Sequence, residues 1–376
     1  MEDKGKKRIR KIRIGIDGHM IGDNSGGNES YYKNILQAMD IPSDWDVFLF
    51  LKPGVDAEPY KKFKIIRFKS SNAAVRNFIE LPTITRSLKL DLLHTQYFIP
   101  FIRSCPIVVT IHDICFEHYK DIFTKGEYVR QKLLVPYAAR KSRAVFTVSE
   151  FSKKDIAKKY KISPDRILVT HNAVGESFRR LNETELREAE LRKQFGIGKD
   201  PYILTVGNLQ PRKNLPRLIE AFKKLRSDGV EYKLVIVGKK AWMYYEILTS
   251  ASDENIILTD YVSETDLVGL YNAAELFVYP SFFEGFGLPP LEAMACGTPV
   301  AVSKATSLTE VVEGAGQYFD PFDVDSIKKA IEQVINDRSL QTRLINRGLE
   351  QVNKFSWKQS AQLVCDTYKK VLEHKA

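Results

Sequence analysis

No run of about eighteen consecutive apolar residues occurs in the 376-residue chain, so no segment qualifies as a membrane-spanning helix. Cysteine is scarce: Cys105, Cys115, Cys296 and Cys365 stand far apart, with no CxxC pair and no paired histidines at zinc-finger spacing. That excludes a disulfide-stapled mini-domain and a structural zinc module, and leads to the expectation of reduced structural thiols in a cytoplasmic chain. Met1–Arg13 carries charge where a secretory signal would carry an apolar core and a small-residue cleavage site. Helix-turn-helix, zinc-finger and RNA-recognition signatures are missing too. What is there, 44% hydrophobic and 28% charged residues, suits folded globular structure, and the length suits two domains.

Charge is unevenly placed. Residues 1–180 hold 33 Lys and Arg against 20 Asp and Glu, and the remainder holds 24 against 27. A basic half attracts polyanions such as nucleic acid, an anionic membrane surface or a pyrophosphate-linked substrate, although a merely solvated surface has the same composition. Without a nucleic-acid signature, the first of these is not expected as a partner.

Short Val- and Ile-rich runs alternate with amphipathic stretches, the pattern of parallel βα units whose strands are buried on both faces. Strands are expected at Ile12–Asp17, Val47–Leu51, Lys64–Phe68, Leu92–His94, Ile107–Ile111, Ala144–Val148 and Ile167–Thr170. A second series follows at Tyr202–Val206, Lys233–Val237, Ile256–Leu258, Leu276–Tyr279 and Val300–Val302. Between the series lies a charged helical segment, Glu183–Phe195, which places a domain boundary near residue 188. The expected fold class is α/β, with two doubly wound Rossmann-like domains, 1–188 and 189–357, facing across a cleft. Ligands bind outside the carboxyl ends of such strands, so functional residues should fall just after them.

Four stretches do. After the first strand, Gly26 and Gly27 precede a helix start, where free N–H groups can hold an anion; a flexible turn is the plain alternative. The loop lacks the GxGxxG dinucleotide fingerprint, so a nicotinamide cofactor is disfavoured. His112 and Asp113 follow the Ile107–Ile111 run, where a histidine can donate to a sugar hydroxyl or serve structurally; His171 is a weaker candidate. Beyond Gly207, a loop presents Arg212 and Lys213, two cations suited to a departing diphosphate, with Asn214 expected to cap the next helix. After Tyr279-Pro280, Glu284 precedes a helix begun by Pro289 or Pro290, and Glu292 lies inside it. Loop amides and the helix dipole there suit a phosphate, and the carboxylates suit hydroxyls; two carboxylates could also form a hydrolase pair.

The phrase Ser-Phe-Phe-Glu284-Gly-Phe-Gly-Leu-Pro-Pro-Leu-Glu292-Ala-Met-Ala-Cys-Gly-Thr-Pro-Val resembles the signature of family-four retaining glycosyltransferases, which are two-domain GT-B enzymes. Asn208-Leu-Gln-Pro-Arg-Lys-Asn-Leu215 is similar to their diphosphate loop, and Thr147-Val-Ser-Glu-Phe-Ser-Lys-Lys to a segment of the first domain. Thr110-Ile-His-Asp-Ile and Phe355-Ser-Trp357 resemble bacterial mannosyltransferases of polysaccharide and O-antigen assembly. The resemblance implies that Glu284 contacts the donor sugar and Glu292 the ribose. It also implies that amides around Phe286, Gly287 and Leu288 hold sugar and phosphate oxygens, that Arg212 and Lys213 bind diphosphate, and that His112 adjoins the reacting sugar. Gly26 and Gly27 would lie near the donor phosphate and acceptor, with Val262 near the base; Gly207 is also expected to bind donor. It implies, too, that the terminal helix, residues 358–376, crosses back to the first domain. Asn172-Ala-Val and Glu313-Gly-Ala-Gly depart from the family pattern.

The implied function is metal-independent transfer of a hexose, with mannose from GDP-mannose favoured over a UDP-sugar, to a glycan or lipid-pyrophosphate-linked acceptor, with no cofactor. Asp44-Trp-Asp46 and Asp323-Val-Asp325 could suggest a metal-dependent transferase, but turn and capping roles fit their positions better. A sugar-nucleotide epimerase or phosphorylase on the same scaffold and a non-catalytic sensor are the alternatives. Cations in Lys4–Arg13 and Ser152–Lys161 motivate peripheral docking on the inner membrane face.

Overall fold

The Val- and Ile-rich runs all form strands, and every pairing between them is parallel. The computed structural model describes residues 10–23, 26–239, 251 and 253–373; most of the Lys4–Arg13 stretch and part of the Gly18–Ser30 loop lie outside them. β1 (Ile12–Asp17), β2 (Trp45–Leu51), β3 (Lys64–Arg67), β4 (Leu92–Gln96), β5 (Ile107–Thr110), β6 (Ala144–Thr147) and β7 (Ile167–Val169) make one sheet in the order β3-β2-β1-β4-β5-β6-β7. β8 (Tyr202–Val206), β9 (Lys233–Val237), β10 (Ile256–Asp260), β11 (Leu276–Tyr279), β12 (Val300–Ser303) and β13 (Gln317–Phe319) make the other, ordered β10-β9-β8-β11-β12-β13. β13 was not legible in the sequence: it is a three-residue edge strand in which Phe319 alone is fully buried.

Both sheets reverse strand order once, between β1 and β4 and between β8 and β11. Such switch points leave a crevice at the carboxyl ends of the strands. The loops leaving β1, β8 and β11 carry the glycine pair, the Arg-Lys pair and the first glutamate, so chain topology brings these distant motifs to sheet edges.

Helices cover both faces. In Leu215–Ser227, Leu218, Ile219, Phe222 and Leu225 are buried at helical spacing against the second sheet. The helix Trp357–Glu373 leaves the second domain and packs on Gly27–Ala38 of the first. Val364, Cys365 and Tyr368 form its buried face, and Tyr368 Oη is hydrogen-bonded to His94 Nδ1 at 2.5 Å. Among the described residues, no helix is long and apolar enough to cross a membrane. Among the described residues, neither Asp-x-Asp triplet belongs to a cluster of three or more metal-ligating side chains. Asp46 pairs with Lys64 at 2.8 Å, and Asp323 caps Val324–Ile335 by accepting from the Asp325 N–H.

Candidate functional site

Glu284 stands at the centre of an ion triad in which it and Lys213 are buried and Arg212 is half-buried. Its Oε1 lies 2.7 Å from Arg212 Nη1 and 2.7 Å from Lys213 Nζ. Lys213 also donates to the Tyr279 hydroxyl, with its ammonium 4.6 Å from the centroid of that ring. Burial pushes the Glu284 carboxyl up, but the two cations and their hydrogen bonds outweigh it and hold the group down at about 2. Burial, together with the neighbouring Arg212 charge, lowers Lys213 to about 8. Arg212 goes the other way: burial works against its charge, yet Glu284 and other anionic neighbours raise it.

Two backbones meet at this triad. Gly207 ends β8 so close to Lys213 that a Cβ there would lie 3.1 Å from Lys213 Cε. Gly238, at the end of β9, approaches closer still: its Cβ would sit 2.1 Å from the Gly207 carbonyl oxygen. On the other side, the Glu284 N–H donates to Thr306 Oγ1 at 3.1 Å, and Ser307 Oγ donates to the Glu284 and Phe286 carbonyls at 2.9 and 2.8 Å. Gly287 then turns with φ of 97°, a left-handed conformation that starts the helix Leu288–Ala295. The Phe286 ring is buried against His171 and Phe355, so only its backbone remains for a ligand.

A cleft of about 1010 Å³ opens between the two sheets. Of the residues singled out from the sequence, Gly26, Gly207, Val262, Leu288 and Glu292 line it. Gly27 adjoins Gly26 at the helix start, and a Cβ on either would meet nothing within 4 Å. Glu292 accepts from the Tyr271 hydroxyl at 3.0 Å; burial first, and then the Glu264 charge, raise its carboxyl to about 7. Arg212, Lys213 and Glu284 do not line the cleft but adjoin it through Gly207. A smaller cavity of about 410 Å³ includes Ser177 and Glu264, which line the cleft as well, but touches no member of the triad.

His112 follows β5 and is buried, with its ring 4.9 Å from Tyr31 and 5.8 Å from Tyr97. Burial lowers its imidazole to about 3, so the ring is neutral. Among the described residues its buried Nε2 has no hydrogen-bond partner, a state that costs roughly 1–3 kcal/mol and is typical of groups that await a ligand or water. The next residue, Asp113, abuts the glutamate loop: a Cβ on Gly285 would lie 2.7 Å from Asp113 Oδ2. Ser149 and Ser152 hold the Gly285 carbonyl at 2.6 and 3.2 Å, from the start of the helix Glu150–Tyr160. The amides of Glu150 and Phe151 at that same start take the Glu310 carboxylate at 2.9 and 3.0 Å, with His171 Nε2 at 3.2 Å.

One sequence expectation is corrected. Asn214 does not cap the helix Leu215–Ser227 with its side chain. It sits in the left-handed region at φ of 55° and its amide donates to the Pro280 and Pro321 carbonyls at 3.1 and 2.7 Å. With Pro216 in the first turn, one fewer amide needs a cap, and the side chain instead ties the Arg-Lys loop to the β11 loop. Sequence reasoning also missed Tyr279, Gly238 and Glu310. Gly238, a lone glycine at a strand end, was the one with a readable signal.

Residues 25–178 match the family model described as Glycosyltransferase Family 4, and residues 187–351 match Glycosyl transferases group 1. O-antigen chain mannosyltransferase B of Escherichia coli is 35% identical over 274 residues, covering 70% of this chain and 70% of its own. The serotype-specific mannosyltransferase WbdA of Escherichia coli is 34% identical over 61% of this chain, which spans 29% of that longer protein. Sucrose-phosphate synthase from Thermosynechococcus elongatus, at 18% identity, shares the fold with a TM-score of 0.76 over 97% of this chain and 100% of its own. Two parallel Rossmann-like sheets, a cleft between their carboxyl edges and these matches agree: the chain belongs to glycosyltransferase family 4 and is a GT-B glycosyltransferase.

Proposed function

We propose that the enzyme transfers mannose from GDP-mannose, with retention of anomeric configuration and without a metal ion, to a glycan acceptor carried on a lipid pyrophosphate. The observation that carries this reading is the triad: two cations, held at 2.7 Å by one glutamate, beside Gly207 at the cleft wall. As the glycosidic phosphate bond breaks, positive charge grows on the sugar carbon and negative charge on the diphosphate. Arg212, Lys213 and the Gly287 and Leu288 amides neutralise the latter, the service a metal performs in other transferases. Glu292 accepts from the ribose hydroxyls, Glu284 from the sugar hydroxyls, and the orphan His112 Nε2 meets a hydroxyl of the reacting sugar. Gly26 and Gly27 let the first domain approach the donor phosphates closely. The mannosyltransferase names of the relatives support the sugar and the polysaccharide context.

The test is turnover of GDP-mannose with a lipid-linked or short synthetic acceptor in excess chelator, with the product anomer read by NMR. An α-mannoside formed without metal is expected. Transfer of another sugar would remove the mannosyl assignment, an inverted product would remove retention, and donor hydrolysis or epimerisation alone would remove transfer.

A further inference from the structure

Seven large hydrophobic side chains stand exposed among the described residues, and five of them belong to one corner of the first domain. Ile79, Phe101, Ile102, Val129 and Leu133 are 61%, 54%, 74%, 52% and 67% exposed. Chain adjacency, ring contacts and helical spacing link them. Phe78, next to Ile79, stacks on Phe101 at 5.0 Å, and Phe101 meets Tyr137 of the helix Lys125–Lys141 at 5.2 Å. Arg103 lies 6.0 Å from the Tyr137 ring centroid, and Arg130 lies 5.5 Å from that of Phe98. Leu133 falls between Arg130 and Tyr137 along that helix, at spacings of three and four residues, and therefore on their face.

The surroundings are cationic. Lys125–Lys141 contains Lys125, Arg130, Lys132, Arg140 and Lys141 against the single acid Glu127, which is engaged in the helix's own capping box. The next helix, Glu150–Tyr160, adjoins it: Lys132 and Lys159 both pair with the buried Glu117 carboxylate. Apolar residues that project past a ring of cations suit the boundary between lipid headgroups and acyl chains, where the apolar tips leave water and the cations meet phosphates. A second copy of the chain fits poorly, because self-association through this face would bring two sets of like charges together.

Position links the patch to the cleft. Ile79 lies beyond β3, Phe101 and Ile102 lie beyond β4, and the helix Lys125–Lys141 lies beyond β5; all follow carboxyl ends of strands, the edge that faces the cleft. His112, Tyr97, Phe98 and Arg130 form a continuous relay, through ring contacts, chain adjacency and the cation contact, from the orphan imidazole to the patch.

We infer that the corner formed by Ile79, Phe101, Ile102, Val129 and Leu133 with its flanking cations seats the enzyme on an anionic lipid bilayer. An acceptor anchored in that membrane then enters the cleft from the first domain's side. The inference rests on the proposed lipid-linked acceptor, but its test does not require turnover. It relocates docking from the charged segments alone to a surface with both apolar and cationic parts: Glu150–Tyr160 contributes charge, and the insertion comes from the helix before it.

The test is flotation of the full chain with phosphatidylglycerol-containing vesicles and with neutral phosphatidylcholine vesicles, for wild type, Ile102→Asp/Leu133→Asp and Arg130→Glu. Wild type should float with the anionic vesicles only. Both variants should lose binding by at least about tenfold at unchanged melting temperature, since the altered side chains are exposed. Ile102→Asp/Leu133→Asp should also keep wild-type turnover on a short water-soluble acceptor, which separates lost docking from a failed functional reading. Wild type that ignores anionic vesicles would overturn the inference, as would variants that bind like wild type. So would a wild-type dimer in sedimentation that Leu133→Asp dissociates, which would assign the surface to a second copy.

Discussion

Lys213 donates to Glu284 Oε1 across 2.7 Å in a site that buries both side chains, and Arg212 shares the same oxygen. Three charged groups thus sit together with net charge of one sign, and one acid holds two cations. Glu284 holds Arg212 and Lys213 in place; on the proposed function the cations meet the donor diphosphate while the carboxylate accepts sugar hydroxyls.

Glu284→Gln removes the anion and leaves the buried Lys213 and the half-buried Arg212 without their shared counterion. Breaking such a pair costs on the order of 3 kcal/mol, so the free variant should melt well below wild type. Turnover should fall by at least about a hundredfold, because the sugar contact is weakened as well. Calorimetric melting and initial rates check both. A variant that matches wild type in melting temperature and rate would show that Glu284 does not hold the pair.

Donor affinity should peak between about pH 7 and pH 8, set by Glu292 at about 7 and Lys213 at about 8. The binding form has Glu292 ionised and Lys213 charged. As pH falls through about 7, Glu292 takes up a proton and loses acceptor strength for the ribose; as pH rises through about 8, Lys213 loses its charge for the diphosphate. Titration calorimetry with intact nucleotide sugar over roughly pH 5 to 9 reads the two limbs, since neither the diphosphodiester nor the base titrates appreciably in that span. Glu292→Gln should flatten the acid limb and Lys213→Arg the alkaline one. A flat wild-type profile contradicts these roles.

Glu310 clamps the two domains, bound to the Glu150 and Phe151 amides and to His171. A carboxylate at a helix N-terminus makes charge-assisted bonds worth about 1.5–3 kcal/mol. Glu310→Gln should loosen the packing between the domains: the radius of gyration from small-angle scattering should rise and turnover should fall roughly tenfold. Donor affinity should hold, because Glu310 does not line the cleft. An unchanged radius and rate would mean that the clamp does not set domain closure.

The fold was legible because both sheets are parallel and buried, so strands appear as uninterrupted runs such as Ile107-Val-Val-Thr110 and Val300-Ala-Val302. The edge strand Gln317–Phe319 escaped because only one of its residues is fully buried. Within the site, Glu284, Arg212 and Lys213 were legible as charges placed after strand ends, and the structure brings them into one triad. Their shared geometry was not, since it depends on Tyr279 and on the Gly207–Gly238 approach, a contact between two loops. Asn214 was misread because its side chain answers to carbonyls at 280 and 321 rather than to its own helix. Glu310 had no local signal, because its partners lie some 160 positions away.

The most direct test of the diphosphate site is a thermal-shift panel of GDP-mannose and the common UDP- and ADP-sugars in excess chelator, for wild type and Lys213→Ala. GDP-mannose should stabilise wild type selectively through mass action, and Lys213→Ala should abolish the shift. A folded wild type that responds to none of them, or responds only after a divalent metal is restored, would contradict a diphosphate site built from Arg212, Lys213 and Glu284.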